Sequence, residues 1–378
     1  MIIRMKSAVK KVLKKLNIDI HSPVKGIYRK DVVSFFASME NKRVNYVVLR
    51  WYDCLPYMEP GEDYDILVSN EDCLTFKKKL KIGNLSNAQF TKCDLYPVNN
   101  AKGYLAYYPP FLAEKCLNNK VKDNSGVWRL DAFTYFCALS YHAVFHKGYT
   151  SGLKSKYREY NQENLEHNYE SILRGLAREA GIDHQDFSIE GLELFLKEQD
   201  WLPPLDIYFR RSNKNRWILD RLQDTIPEKW YNRRGLTCFV IRELADTEKW
   251  CAYIERLIFD AGAEVIASVK LGESEKQQYA KYTRGGDWGK GPSKVSGGLP
   301  SRIILARKGE KGKDELPHGV VEYSWVKEIK ERVRTEYNKS VSYFKSSNVL
   351  HSTDNGVEAS YYLSILEKVT GKNYEELL

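Results

Sequence analysis

The order of strand-like and helix-like segments in the C-terminal third limits the fold more than any other feature of the sequence. Residues 237–242 form a short apolar segment that ends in a cation, and residues 250–261 have apolar side chains at helical spacing. Gly262 follows, where glycine commonly ends a helix because it adopts a left-handed backbone conformation without strain. Residues 263–271 are again strand-like. This strand–helix–strand order predicts a fold of the α/β (α+β) class.

A histidine near the C-terminus is the strongest candidate for chemistry. His351 follows two apolar residues and precedes two hydroxyl residues and a carboxylate. An imidazole is a good nucleophile near neutral pH because a useful fraction of it is unprotonated. A neighbouring carboxylate or hydroxyl can fix which ring nitrogen is free. The segment therefore suits a histidine that accepts a phosphoryl group, and a packed or capping histidine is the alternative.

Segment 348–354 resembles the active-site signature of nucleoside diphosphate kinases, Asn-x-x-His-x-Ser-Asp. Asn348, His351 and Asp354 match that signature, and Thr353 stands in place of the serine. The resemblance implies that His351 is the phosphorylated residue and that the other three lie at a nucleotide site. A glutamate that orients the histidine in that family is replaced here by Tyr362.

The resemblance extends over residues 237–378 and implies a ferredoxin-like domain that binds ATP or another NTP. Arg242 stands where the family has a phosphate-binding lysine at the end of its first strand. Arg332 or Arg334 corresponds to the arginine that clamps phosphate in the family. We therefore expect all three arginines near the nucleotide, although arginine and lysine differ in geometry.

A glycine-rich segment lies between the second and third strands of this predicted domain. Six glycines occur in the fourteen residues 285–298, and such a backbone can fold closely around an anion. The segment is not a Walker A loop, because glycine follows Gly289-Lys290 where Ser or Thr is required. A flexible surface loop is the alternative. The predicted nucleotide contacts are Arg284, Gly285, Gly286 and Lys290.

Three acidic residues are the candidate site in the N-terminal part. Asp63 and Asp65 are two apart on a predicted strand and share one face, and Asp94 lies on a later strand. Carboxylates suit Mg²⁺ or Mn²⁺ bound to a triphosphate. The pattern resembles polymerase β-type nucleotidyltransferases, which implies a mixed sheet and catalytic, metal-binding roles for all three residues. The family's Gly-Ser turn is missing, and a solvated strand start is the alternative.

The length of the chain limits how many domains it can form, and its charge indicates which class of partner it favours. The chain has 378 residues and a net charge of +9, which favours anionic partners. It lacks an apolar run of about 18 residues, so we expect no membrane span. Seven scattered cysteines without a Cys-x-x-Cys pair favour a reducing cytoplasm. The predicted segments are a basic amphipathic arm (1–24), a nucleotidyltransferase-like domain (25–128), a helical region (129–235) and a nucleoside diphosphate kinase-like domain (236–378).

Together these features predict an NTP-dependent, magnesium-requiring transferase of phosphoryl or nucleotidyl groups. The acceptor is expected to be an anionic or phosphorylated small molecule or glycan, in surface-polysaccharide or glycolipid assembly. Residues 1–16 have an apolar face and a lysine face, which predicts contact with the inner, anionic face of a membrane. Packing of that helix on its own domain is the alternative. A nucleic-acid-binding protein and a nucleotide sensor with a degenerate kinase-like domain remain the other interpretations.

Overall fold

The chain forms two compact units, and its mixed α/β structure agrees with the fold class that the sequence predicts. In the computed structural model the described residues are 24–59, 61–84, 87–100, 106–158, 167–288, 297–309, 322–342 and 346–378. One unit contains the described residues up to Tyr96 together with Lys120–Leu130, and the other contains Pro97–Asn119 and Asp131–Leu378. The predicted membrane-binding helix at 1–16 and the predicted nucleotide contact Lys290 lie outside the described residues.

The first unit is built on a mixed sheet. Its described strands are β1 (Val24–Tyr28), β2 (Tyr46–Val48), β3 (Tyr64–Val68), β4 (Lys81–Gly83), β5 (Phe90–Pro97), β6 (Lys120–Lys122) and β7 (Trp128–Leu130). Their order in the sheet is β4-β1-β5-β3-β2-β7-β6, and β2 and β7 run parallel. Along the chain, helix α1 (Val32–Asn41) lies between β1 and β2, and helix α2 (Cys73–Lys79) lies between β3 and β4. Every residue of β2 and β3 is buried, so these two strands lie in the core of the unit.

The second unit begins with a run of helices, of which all but the first lie within the helical region predicted at 129–235. They are α3 (Pro110–Asn118), α4 (Ala132–Tyr141), α5 (Tyr169–Glu179), α6 (Ile189–Glu198), α7 (Leu205–Arg211), α8 (Arg216–Thr225) and α9 (Glu228–Tyr231). Side-chain caps explain several of the starts: Asp131, Ser188 and Asn215 each accept a hydrogen bond from a backbone amide three residues later. Within the described part of the chain, no helix combines the length and apolar character that a bilayer crossing needs.

The second unit ends in an antiparallel sheet with alternating helices. The elements are β8 (Leu236–Arg242), α10 (Glu248–Asp260), β9 (Ala263–Lys270), α11 (Glu273–Tyr282), β10 (Pro300–Lys308), α12 (Ser324–Ser340), β11 (Leu350–Ser352) and α13 (Gly356–Thr370). The strand order is β11-β8-β10-β9, and every neighbouring pair is antiparallel. The strands and helices predicted between residues 237 and 271 are confirmed to within two residues at each end.

The two faces of this sheet are covered by different helices. Phe239 and Ile241 of β8 pack in one core with Ile254 of α10 and Val333 of α12. Side chains alternate along a strand, so the other residues of β8 point to the opposite face. There the Cys238 thiol donates to a backbone carbonyl in α13. The α13 face is the one on which the candidate site lies.

Candidate active site around His351

Strand pairing determines which way His351 points. In the antiparallel pair of β11 and β8, His351 lies opposite Val240, and opposite residues share a face. The backbone then turns directly into α13, because the Asn355 side chain caps that helix by accepting from the Glu358 amide at 3.0 Å. This short connection brings Tyr362 of α13 beside the imidazole.

The imidazole of His351 contacts two aromatic side chains. Its Nε2 lies 3.1 Å from the Tyr362 hydroxyl oxygen. The Trp288 ring meets it edge-on, with 5.9 Å between ring centroids and an interplanar angle of 88°. In the described part of the chain no hydrogen-bond partner is found for Nδ1. One ring nitrogen therefore has a hydrogen-bond partner among the described residues, and Nδ1 has none there.

Positive charges surround this histidine and keep it neutral. Burial, and then the charges of Arg284, Lys330, Arg334 and Arg242, hold the pKa of His351 well below its usual value of 6.5. At neutral pH the ring is therefore unprotonated and can act as a nucleophile. Of these cations, Lys330 is itself ion-paired with Glu322. An uncharged nucleophile among cations is the arrangement that suits attack on a phosphate.

Behind Tyr362 lies a buried carboxylate from a distant part of the chain. The Tyr362 hydroxyl is 3.4 Å from Asp206 Oδ2, although the two residues are 156 positions apart. It also accepts a hydrogen bond from the Arg284 backbone amide at 3.0 Å. Both carboxylate oxygens of Asp206 accept from the Gly285 amide, at 3.0 and 2.8 Å. The helical region and the glycine-rich segment therefore both contribute to the histidine site.

Two of the predicted phosphate-binding arginines donate to backbone carbonyls near His351. Arg242 is fully buried, and its guanidinium donates to the Asn348 and Trp288 carbonyls, each at 3.1 Å. Arg334 donates through Nε and Nη2 to the Leu350 carbonyl, at 2.9 and 2.7 Å. These contacts fix the histidine strand and direct the donors of both side chains at the protein. Their charges still act on the imidazole.

The other residues of the histidine signature serve mainly to hold β11 in place. Thr353 is fully buried, and its hydroxyl accepts from the Cys238 amide at 2.9 Å. The Asp354 amide donates to Glu358, and burial raises the pKa of the Asp354 carboxyl to about 6. Asn348 offers its backbone carbonyl to an arginine. Arg332 is exposed and is not among the charges that act on His351.

Residues 284–286, at the start of the glycine-rich segment, form a tight turn. Gly285 and Gly286 have φ angles of +64° and +76°. The amides of Arg284 and Gly285 donate to Tyr362 and Asp206, and the Gly286 amide donates to the Thr283 carbonyl at 2.9 Å. These amides bind the protein itself. The expected cradle of backbone amides around a phosphate is therefore not formed by residues 284–286.

In the first unit, the three predicted acidic residues converge on one region of the sheet. Asp63 and Asp94 share a partner, the Lys92 ammonium, which lies 2.7 Å from one carboxylate oxygen of each. Asp65 is close enough that the charges of Asp94 and Asp63 raise its pKa, after the larger effect of burial. Neighbouring positions of β3 and β5 in the sheet explain this convergence.

The surroundings of these carboxylates are those of an ion-paired cluster. Asp65 pairs with Arg50 at 2.8 Å and accepts from the Tyr96 hydroxyl at 3.0 Å. Among the residues that the structure describes, no group of three His, Cys, Asp or Glu side chains is arranged to hold a metal ion. As they stand the carboxylates do not fit a metal, because Lys92 and Arg50 already neutralise their charge.

Sequence reasoning did not single out three residues of the histidine site. Lys330 lies one helical turn before Arg334 on α12, a spacing that places both side chains on one face and that could have identified it. Trp288 stands within the glycine-rich segment, where a large aromatic side chain is out of place. Asp206 lies on the seven-residue helix α7, and nothing in its local sequence connects it to His351.

Comparison with known proteins gives no match: no family model, no curated protein and no solved structure corresponds to this chain. The likenesses to nucleoside diphosphate kinases and to polymerase β-type nucleotidyltransferases therefore rest on the motifs quoted above. A function has to be argued from the contacts, burial and charges of the two candidate sites.

Proposed function

We propose that the second unit is an NTP-dependent phosphotransferase in which His351 accepts the phosphoryl group. The observation that carries this proposal is the neutral imidazole among four cationic side chains, with Nε2 held by Tyr362 and Nδ1 left for a ligand. An ordinary core histidine has no need of such a concentration of positive charge. A phosphate-binding histidine requires it, because triphosphate is strongly anionic.

The proposed reaction is an in-line displacement. The Nδ1 lone pair attacks the γ-phosphorus of ATP or another NTP, a nitrogen–phosphorus bond forms, and the bond to the β-phosphate bridging oxygen breaks. The nucleoside diphosphate leaves with the electron pair of that bond. The charges of Arg284, Lys330, Arg334 and Arg242 stabilise the transition state by spreading its negative charge. An acceptor oxygen then takes the phosphoryl group from the histidine.

The fold of the second unit supports this proposal. Numbered within the sheet, the strands lie in the order 4-1-3-2 and are antiparallel, with helices after the first and third strands on one face. We assign this arrangement to the ferredoxin-like class. A nucleoside diphosphate kinase-like domain at 236–378 follows from that assignment together with the histidine signature. The acceptor class that we favour is a phosphorylated small molecule or glycan, in the cytoplasm.

Labelling with γ-labelled MgATP tests the proposal. We expect acid-labile, base-stable label on the wild type and at least a 100-fold loss in His351→Ala, because the nucleophile is removed. His184→Ala is the matched control, since His184 belongs to the same unit and is half-buried like His351. Label that persists in His351→Ala, or a wild type that binds ATP and takes no label, would contradict the phosphohistidine.

A nucleotide sensor is the second candidate for the same site. The observation in its favour is that Arg242 and Arg334 both donate hydrogen bonds to backbone carbonyls of the protein. Under this proposal the cations bind ATP electrostatically and His351 forms no covalent bond. Equal ATP affinity of the wild type and His351→Ala, measured by calorimetry with no label on either, would favour the sensor.

For the first unit we propose nucleotidyl transfer, and the convergence of Asp63, Asp65 and Asp94 supports it. Asp63, Asp65 and Asp94 would hold Mg²⁺ or Mn²⁺, and the ion would supply the positive charge that such a transfer needs. The ions would bind only after Lys92 releases Asp63 and Asp94. Loss of pyrophosphate release from NTP in Asp65→Asn, compared with the wild type, is the measurement that checks this activity.

A further inference from the structure

The Tyr362 hydroxyl is enclosed by three polar groups at the position where the resembled kinases have a glutamate. The Arg284 amide lies 3.0 Å from it, His351 Nε2 3.1 Å and Asp206 Oδ2 3.4 Å. Tyr362 is fully buried, so these groups are the ones that decide where its proton goes. The tyrosine brings no charge of its own near neutral pH, but it connects the imidazole to a carboxylate.

Counting donors and acceptors around this hydroxyl determines the tautomer of the histidine. A phenol hydroxyl has one proton to donate and two lone pairs that accept. The Arg284 amide can only donate, so it takes one lone pair. An ionised Asp206 can only accept, so the phenol proton points to it. The second lone pair then faces His351, whose Nε2 must carry a proton to complete the contact.

The surroundings of Asp206 keep it ionised near neutral pH. Burial raises its pKa to about 6, while the charges of Arg210 and Arg284 and the Gly285 amide oppose a larger rise. The 3.4 Å distance from Tyr362 is long for a hydroxyl–carboxylate hydrogen bond. Asp206 therefore orients the hydroxyl partly through the electrostatic field of its charge, which is strong in a buried site.

We infer that Asp206 and Tyr362 are positioning residues that hold His351 in the Nε2–H tautomer, which leaves the Nδ1 lone pair as the nucleophile. This inference rests on the proposed phosphotransfer for its purpose, but the tautomer exists whether or not transfer occurs. During attack Nε2 keeps its proton, so the ring becomes positively charged as the nitrogen–phosphorus bond forms. The Asp206 carboxylate, through Tyr362, balances that charge. The role that a single glutamate has in the resembled kinases is thus divided between two residues.

Nitrogen-15 spectroscopy of the histidine rings tests the inference directly. The protein is labelled on its seven histidines, and His351→Gln identifies the signals of His351. We expect a protonated Nε2 and an unprotonated Nδ1 in the wild type at neutral pH. Tyr362→Phe and Asp206→Asn should shift both signals toward a mixture of tautomers. They should also slow labelling of His351 by about 100-fold, the scale of a misplaced reacting group.

Two variants in the same unit are matched controls. Tyr361→Phe removes a neighbouring hydroxyl that donates to the Tyr282 carbonyl at 2.7 Å and does not contact the histidine. Glu193→Gln neutralises another buried carboxylate that accepts from a tyrosine, Tyr208, at 3.0 Å. Both controls should leave the His351 signals and the labelling rate unchanged.

The outcomes separate this inference from the proposed function. The inference is overturned if Nδ1 is protonated in the wild type, or if neither Tyr362→Phe nor Asp206→Asn changes the tautomer. This holds even if His351 is labelled. Suppose that the wild type takes no label but shows the expected tautomer, and that Tyr362→Phe and Asp206→Asn both lose this tautomer. Phosphotransfer is then rejected, and the positioning role of Asp206 and Tyr362 is retained. If Asp206→Asn does not fold, Tyr362→Phe decides alone, because it removes a single oxygen atom.

Discussion

At the scale of single residues, the site depends on a histidine that is kept neutral by its neighbours. Burial alone would favour the uncharged ring, and the surrounding guanidinium and ammonium groups add to that preference. Arg284 is the largest of the charged contributions. Its guanidinium also lies 5.4 Å from the Trp288 ring centroid, which keeps it beside the imidazole. Burial therefore has the largest effect on the pKa of His351, and Arg284 has the largest effect among the charges.

Removal of that charge should raise the pKa of His351. In Arg284→Met one cation that disfavours the imidazolium is lost, so the folded-state pKa moves upward toward 6.5. The titration of the ring by nitrogen-15 spectroscopy measures this shift. Arg332→Met is the control, because Arg332 is exposed and is not among the charges on His351. Equal titrations of both variants and the wild type would contradict the assigned role of Arg284.

The lowered pKa of His351 also makes the free energy of unfolding depend on pH. The sign of this dependence is opposite to that for a histidine whose pKa is raised by a salt bridge. Since the folded-state pKa lies below 6.5, the unfolded chain binds a proton first as the pH falls. The contribution of His351 to the free energy of unfolding is therefore full above about pH 6.5 and decreases on acidification below it. Arg284→Met should lessen this decrease.

At the scale of elements, local patterns identified strands and helices well where periodicity and breakers agree. The strand predicted around Asp94 is present as β5, and α10 ends at Asp260 just before the predicted stop at Gly262. The short strands β4, β6 and β7 were not predicted, because three residues are too few for a period of two to show. Strands this short form because they pair with neighbouring strands, and their local sequence does not show it.

The candidate site was predictable only in part, for a related reason. His351 and its flanking residues form a local motif, which a sequence displays directly. Asp206 reaches the site because α7 packs beside the turn at 284–286, and that contact joins residues 79 positions apart. No periodicity in the chain encodes such a contact. The sequence likewise placed Asp63 and Asp94 on strands but could not reveal that Lys92 lies between them.

The turn that carries Gly285 should tolerate a side chain poorly. A Cβ atom there would lie 2.4 Å from Ile207 Cδ1 and 2.7 Å from Arg210 Nη2, in a backbone with φ of +64°. Gly262 is the matched control, since its φ is +73° and a Cβ atom would meet nothing within 4 Å. Both alanine variants share the strain of a left-handed residue, about 1–2 kcal/mol. Gly285→Ala should lose about 1–3 kcal/mol more from overpacking.

Urea unfolding of the second unit, which contains both glycines, measures the difference between these two variants. Gly285→Ala should also slow His351 labelling, because the displaced turn carries the amides that bind Asp206 and Tyr362. Gly262→Ala should leave labelling unchanged. Equal losses of stability in the two variants would mean that the turn moves aside without strain, contrary to the packing described here.

At the scale of the whole molecule, the two units each have a candidate site with an opposite charge balance. In the second unit, the charges of four cations act on an uncharged imidazole, and one of them, Lys330, is ion-paired with Glu322. In the first unit, carboxylates are paired with Lys92 and Arg50, so their charge is balanced within the protein. An anion is thus expected to bind the second unit directly, whereas a metal must compete with a lysine in the first.

Removal of that lysine should uncover a divalent-cation site. In Lys92→Ala, Asp63 and Asp94 lose the ammonium that lies 2.7 Å from each, and their mutual repulsion then favours Mg²⁺. We expect millimolar Mg²⁺ to raise the melting temperature of this variant more than that of the wild type, since a ligand that binds only the folded state stabilises it. Lys122→Ala is the control, because Lys122 pairs at 2.8 Å with the more exposed Glu40 of the same unit. If Mg²⁺ affects all three proteins equally, the carboxylates are a structural ion-pair cluster, and the case for nucleotidyl transfer loses its metal. His351 labelling should be the same in all three, because that residue belongs to the other unit.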